Sequence, residues 1–113
     1  EPLLPAYVYN RNLIPIIKTA LLDPGPNYCE VNRLVWKDLR RMRFNVKRSF
    51  QGYKAKVLIL SGRQDLFDAS IPLSLKSIFP NSTLKFIEKS SHYPWLDRPQ
   101  AFFKALADFF AKQ

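Results

Sequence analysis

The sole histidine, His92, and an acid earlier in the chain, Asp65, are the residue types from which a proton-transfer pair is built. A carboxylate bonded to one imidazole nitrogen fixes the tautomer. It also stabilises the imidazolium formed when the other nitrogen takes a proton from a nucleophile, so the pair is the orienting half of a nucleophilic triad. Residue types alone are a weak signal, because a loop histidine is more often a surface or hydrogen-bonded structural residue. Asp65 could equally do no more than cap the backbone donors of Ser61 and Gly62. A second acid, Asp68, is within reach of the same loop and reads as a solvated residue or a cap for a helix starting near Ser70.

The two residues gain meaning from the elements that carry them. Val57-Leu58-Ile59-Leu60 is an unbroken apolar run, the pattern of a strand buried on both faces in a parallel sheet. A loop from Gly62 to Ala69 follows and carries Asp65. Ile71, Leu75, Ile78 and Phe79 mark a short helix stopped by Pro80-Asn81, and Thr83–Ile87 reads as a second strand. The loop from Glu88 to Leu96 carries His92. A last helix, opened near Asp97 and Pro99, places Phe102, Phe103, Leu106, Phe109 and Phe110 on one apolar face. Strand, helix, strand, helix predicts two parallel neighbours joined by a right-handed crossover. Functional groups in such sheets gather at the C-terminal strand ends, and both loops leave from that edge. Two strands do not make a stable parallel sheet alone, so further strands are expected from a partner polypeptide or from upstream sequence.

The earlier half is organised differently. Prolines 2, 5, 15, 24 and 26 punctuate the first 26 residues, bracketing a short apolar helix over Leu13–Leu22 with Pro15 in its first turn. Asp23-Pro24-Gly25-Pro26 predicts a turn. From Asn27 to Met42, Val31, Leu34, Val35, Leu39 and Met42 recur at helical spacing with Arg33, Lys37, Arg40 and Arg41 mostly elsewhere, an amphipathic helix with a basic outer face. Arg43–Lys56 has no sustained period and reads as a surface connection.

The words around the two candidate residues resemble a known family. Val57–Leu60 followed by Ser61-Gly62-Arg63-Gln64-Asp65 is similar to the strand and Gly-x-x-Asp loop in which α/β-hydrolases place their triad acid. Phe86–Phe103, with Ser91-His92-Tyr93-Pro94-Trp95-Leu96-Asp97-Arg98-Pro99 at its centre, is similar to that family's final strand, histidine loop and last helix. Phe79-Pro80-Asn81-Ser82 matches the helix-ending turn between them. The likeness covers Lys54–Lys112 well and the earlier half loosely. The Gly-Arg-x-Asp and Pro-Trp-Leu-Asp-Arg-Pro wording looks most like hydrolases of the proline iminopeptidase type. The resemblance implies the C-terminal portion of an α/β-hydrolase. Residues 51–113 would be the strand-helix-strand-helix end of its core, and residues 1–50 the end of a helical lid with its return connection. In the lid the apolar face of the Asn27–Met42 helix would cover a substrate pocket; simple core packing is the alternative. One departure is Ser91 where the family usually has glycine, which suggests a slightly different loop path.

The resemblance further implies a serine-type hydrolase acting on an ester, amide or similar bond of a small molecule or peptide, with His92 as general base and acid, Asp65 as its orienter, an upstream serine or, as the alternative, an aspartate as nucleophile, and no metal or organic cofactor. The nucleophile elbow Gly-x-Ser-x-Gly cannot be made from Gly25, Gly52 and Gly62. In this fold the order is nucleophile, acid, histidine, so the missing half is expected upstream of Glu1, or on a partner chain, and the 113 residues alone are expected to be inactive. Cys29 sits at the start of a predicted helix, in the wrong chain order to replace it.

Composition sets the remaining bounds. Nearly half the residues are apolar, with nine phenylalanines, which excludes a disordered tail. One cysteine excludes an intramolecular disulfide and a multi-cysteine zinc site. No run approaches the roughly 20 apolar residues of a membrane span, so a soluble, cytoplasmic protein is the default. The net charge of +9 is concentrated, with half of the 18 basic residues between Arg33 and Lys56. A solvated basic face is the simpler reading of that run, and nucleic acid is not the expected partner. The competing expectation is a non-catalytic basic binding module on a hydrolase-like scaffold.

Overall fold

The computed structural model describes residues 3–22 and 28–112, without the side chains of 21, 22 and 28. The turn expected at Asp23-Pro24-Gly25-Pro26 lies outside the described residues. In chain order the elements are α1 (Ile14–Leu22), α2 (Tyr28–Arg41), α3 (Val46–Ser49), β1 (Val57–Gly62), α4 (Ser70–Ile78), β2 (Ser82–Ile87), α5 (Pro94–Asp97) and α6 (Pro99–Ala111). Two 3₁₀ turns, Leu4–Ala6 and Arg11–Leu13, precede α1. The chain is therefore mixed α/β with a two-stranded parallel sheet.

β1 and β2 pair in register from Val57 opposite Ser82 to Gly62 opposite Ile87, so both strands end at one edge. Side chains of successive strand residues point to opposite faces. Ile59 accordingly meets Pro72 and Leu75 of α4 around one cavity, while Leu58 meets Ala105 and Phe109 of α6 around another. Helix, sheet and helix form three layers. The expectation of a strand buried on both faces fails here: of Val57–Leu60 only Ile59 is buried and the rest are half-buried. One helix per face and no third strand among the described residues leave too little cover. The expected apolar face of α6 is also narrower, since Ala105 is its buried centre while Phe103 and Phe110 are exposed.

Local chemistry explains most boundaries. Asn10 accepts a hydrogen bond from the Asn12 amide at 3.1 Å, capping the 3₁₀ turn that feeds α1, with Pro15 in the first turn of that helix. Asp68 accepts from the Ser70 amide at 2.8 Å at the start of α4. Pro99 opens α6 at a position where a missing N–H costs nothing. The predicted connection Arg43–Lys56 contains one extra helical turn, α3, capped by Asn45, whose side chain accepts from the Arg48 amide. Phe50 and Tyr53 of that connection pack on Phe79 at the end of α4, at centroid distances of 5.2 and 5.7 Å.

A second small core lies apart from the sheet. Leu4, Val8 and Ile17 are buried together, with Tyr7, Leu13, Ile14, Tyr93 and Leu96 against them. The segment Leu4–Val8 is thus folded onto the segment that follows β2. In α2, by contrast, every residue from Cys29 to Arg41 except Leu39 is exposed. Packing of its apolar face into a core is not seen among the described residues.

Candidate functional site

Parallel pairing delivers two loops to one edge, and their backbones interlock there. The Arg63 amide donates to the Ile87 carbonyl at 2.9 Å and the Gln64 amide to the Ser90 carbonyl at 2.9 Å. The Gln64 side chain in turn accepts from the Ser90 amide at 3.1 Å. Gly62 makes this approach possible. A Cβ there would overlap the Ser91 carbonyl oxygen and lie 2.6 Å from that of Ser90 and 2.8 Å from the Ser91 carbonyl carbon. Only a residue without a side chain fits. Arg63 adds an outer link, bonding Glu88 at 2.9 Å with its guanidinium 4.0 Å from the Phe86 ring centre.

The interlocked loops bring the two sequence-predicted residues together. His92 Nδ1 lies 3.1 and 3.3 Å from the oxygens of Asp65. A carboxylate can only accept, so Nδ1 carries the hydrogen and the neutral ring keeps its lone pair on Nε2. Asp65 is held in turn by the Phe67 amide, which donates to Oδ1 at 3.1 Å. The cap to Ser61 and Gly62 weighed above is not formed; the turn it makes runs forward. The Asp65 side chain is 15% exposed and that of His92 33%, so the acid is shielded and the base open. Tyr7 and Phe67 meet the imidazole edge-on at centroid distances of 5.4 and 5.2 Å. The pair lines an open cleft of about 340 Å³ with Leu60, Gly62, Pro94, Trp95 and Phe102. Trp95 of this cleft is 42% exposed, its ring 5.1 Å from that of Tyr93 and 5.9 Å from that of Phe102.

Asp97 is the residue that sequence reasoning misplaced. It does not open α6 but ends α5, a turn inside the stretch expected to be loop, and its carboxylate reaches back across the chain. Oδ2 accepts from the Tyr9 amide at 2.8 Å and the Ser91 amide at 2.9 Å, and Oδ1 from the Asn10 amide at 2.8 Å. Ser91 is 2% exposed and its hydroxyl donates to the Ala6 carbonyl. Ser91 is thus tied into a buried backbone contact. An acid before Arg-Pro reads locally as a helix start. No local signal points to partners more than 80 residues away.

Other candidates stand apart from the pair. Asp68 lies one residue before Ala69, the N-cap of α4, and makes a local turn to Ser70; bonding from the Ser70 hydroxyl and then its amide holds its carboxyl below the ordinary carboxylate range. Cys29 is exposed in the first turn of α2. Among the described residues no hydroxyl or thiol is bonded to His92: Ser90 and Ser91 donate to backbone carbonyls, and Ser61 lies 3.5 Å from the Gly62 carbonyl. Nor do three His, Cys, Asp or Glu side chains among them converge as metal ligands. Among the described residues no helix is long and apolar enough to cross a membrane.

Comparison with protein families, curated proteins and solved structures finds no match to this chain.

Proposed function

We propose that this chain supplies the acid and histidine of a serine-type hydrolase of α/β-hydrolase fold, acting on an ester, amide or peptide bond. One observation carries the reading: a shielded Asp65 accepts from Nδ1 of a half-open His92 at the C-terminal edge of parallel strands, and both residues line one cleft. In the reaction Nε2 takes the proton of a nucleophilic hydroxyl as that oxygen bonds to the substrate carbonyl carbon. It returns the proton to the departing alcohol or amine as the carbonyl bond to that group breaks. Water then repeats the cycle on the acyl-enzyme, restoring the hydroxyl and releasing the acid. Asp65 remains ionised and holds the ring. The nucleophile, the oxyanion donors and the strands that would flank β1 and β2 come from polypeptide outside these 113 residues. The sheet supports that part of the proposal, since among the described residues neither strand has a second neighbour.

The test uses a nitrophenyl ester. The 113 residues alone are expected to show no hydrolysis dependent on His92. Expressed from the complete reading frame that contains it, the protein is expected to hydrolyse the ester and to lose about 10⁴-fold in kcat on Asp65→Asn, because the amide favours the wrong tautomer. Hydrolysis by the chain alone that disappears with His92→Ala would overturn the claim of an external nucleophile. Activity of the longer protein indifferent to His92→Ala would overturn the catalytic reading itself.

A further inference from the structure

We propose that Asp97 is a positioning residue for His92, clamping the histidine loop onto the segment Leu3–Asn10 so that the imidazole keeps its bond to Asp65. The geometry points to this because the clamp brackets the histidine on both sides. Before it, the Ser91 amide donates to Asp97 Oδ2 and the Ser91 hydroxyl to the Ala6 carbonyl. After it, the Tyr93 amide donates to the Tyr7 carbonyl at 3.1 Å. The same Oδ2 also receives the Tyr9 amide, while Oδ1 receives that of Asn10. One carboxylate therefore joins two chain segments through three N–H groups.

The chemistry suits the task. A carboxylate has only acceptor sites and bonds N–H donors more strongly than a neutral oxygen does. Its own placement is rigid, since Asp97 ends a helical turn whose first residue follows Tyr93, and its amide donates back to the Tyr93 carbonyl at 3.1 Å. The clamped segment also carries Tyr7, whose ring rests edge-on against His92. Loosening Asp97 would thus release the peptide before the histidine and the ring beside it together. An asparagine would keep one acceptor but turn a second donor toward the Asn10 amide, so it is a partial lesion.

The inference rests on the acid–histidine reading for its effect on rate, but the position of the ring can be read without any turnover. Long-range proton–nitrogen spectra of the imidazole, recorded on the whole chain, report which nitrogen carries the hydrogen. The parent is expected to hold the Nδ1–H form. Asp97→Ala is expected to move the equilibrium toward the Nε2–H form preferred by free histidine, as far as Asp65→Asn does, with Asp97→Asn between them. An Asp97→Ala chain that keeps its circular dichroism and the parent imidazole signals overturns the proposal. If Asp97→Ala fails to fold, the asparagine variant decides, and unchanged imidazole signals in it overturn the proposal equally. In an active longer protein, Asp97→Ala is expected to lower kcat on the order of 10²-fold with KM little changed. Turnover indifferent to His92→Ala, with the tautomer still responding to Asp97, would sink the hydrolase reading and leave the clamp standing.

Discussion

Residues 82–97 and residues 28–41 both carry apolar side chains among charged ones, yet the chain treats them oppositely. In the first stretch Ile87, Ser90, Ser91 and Pro94 are buried, and Ser90 and Ser91 bond to Gln64 and Ala6, far away in sequence. In α2 Val31, Leu34, Val35 and Trp36 are all between 45% and 56% exposed. Its ion pairs, Glu30 with Arg33 and Asp38 with Arg41, are local, solvated links one turn apart. Such pairs contribute little. Amphipathic spacing thus makes a helix in either setting but does not say whether its apolar face finds a surface. What separates the regions is backbone contact at long range: the histidine loop is gripped by the Asp65 loop and by the segment Ala6–Asn10, and α2 by neither. The accessible surface of 8632 Å² exceeds the roughly 6,400 Å² of a compact monomer of this mass, in keeping with the exposed apolar side chains of α2.

The two positive or crowded glycine positions give the sharpest way to break that contrast. Gly62→Ala drives a methyl group into the Ser90 and Ser91 carbonyls and is expected to destabilise the chain by about 3 kcal/mol or more. Gly52→Ala, in the basic middle, meets nothing within 4 Å and carries only the cost of a side chain at φ +80°, about 1 kcal/mol. Denaturant midpoints with equal m-values measure both. Equal losses would mean that the loops do not approach as closely as described.

A smaller contrast is expected between two aliphatic truncations. Ile59→Ala removes a side chain that is 8% exposed and should cost about 2 kcal/mol or somewhat more. Leu34→Ala, 45% exposed on α2, should stay within about 0.5 kcal/mol. A large loss at Leu34 in solution would show that α2 is packed on a surface there.

Acid should produce the smallest effect. Asp68 at the start of α4 has its carboxyl lowered by Ser70, and Glu30 in α2 by Arg33. A folded-state value below the unfolded one means stability that is present above the unfolded value and is lost as pH falls through the folded one. Stability measured from about pH 6 down to about pH 3 should fall less steeply for Asp68→Asn than for the parent. The same holds for Glu30→Gln. Both groups are exposed, so the slopes should differ only slightly. A parent slope unchanged by Asp68→Asn would show that the Asp68–Ser70 bond adds no stability.

Much of the site was legible in the sequence because its parts are local words. The apolar run Val57–Leu60, the glycine and acid after it, and the single histidine after Thr83–Ile87 each announce themselves within a few residues, and strand-helix-strand order aims both loops at one edge. The helices over 14–22, 28–41, 70–78 and 99–111 follow from spacing and from Pro15 and Pro99 in the same way. Asp97 was legible only as a helix start, since its carboxylate binds amides at positions 9, 10 and 91 that nothing near it predicts. Gly62 was seen as part of a motif, while the reason a side chain cannot stand there came from the other loop.

The sequence by itself determined which residues could perform proton transfer, which elements carry them and toward which sheet edge they point, because those depend on periodicity, turn chemistry and strand order. Only the tertiary structure decided that Nδ1 faces Asp65 and that residues 3–10 close over the histidine loop. Tertiary structure also decided that β1 is covered on each face by a single helix and that α2 keeps its apolar side in solvent. These depend on contacts between residues distant in the chain, whose energies no local pattern records.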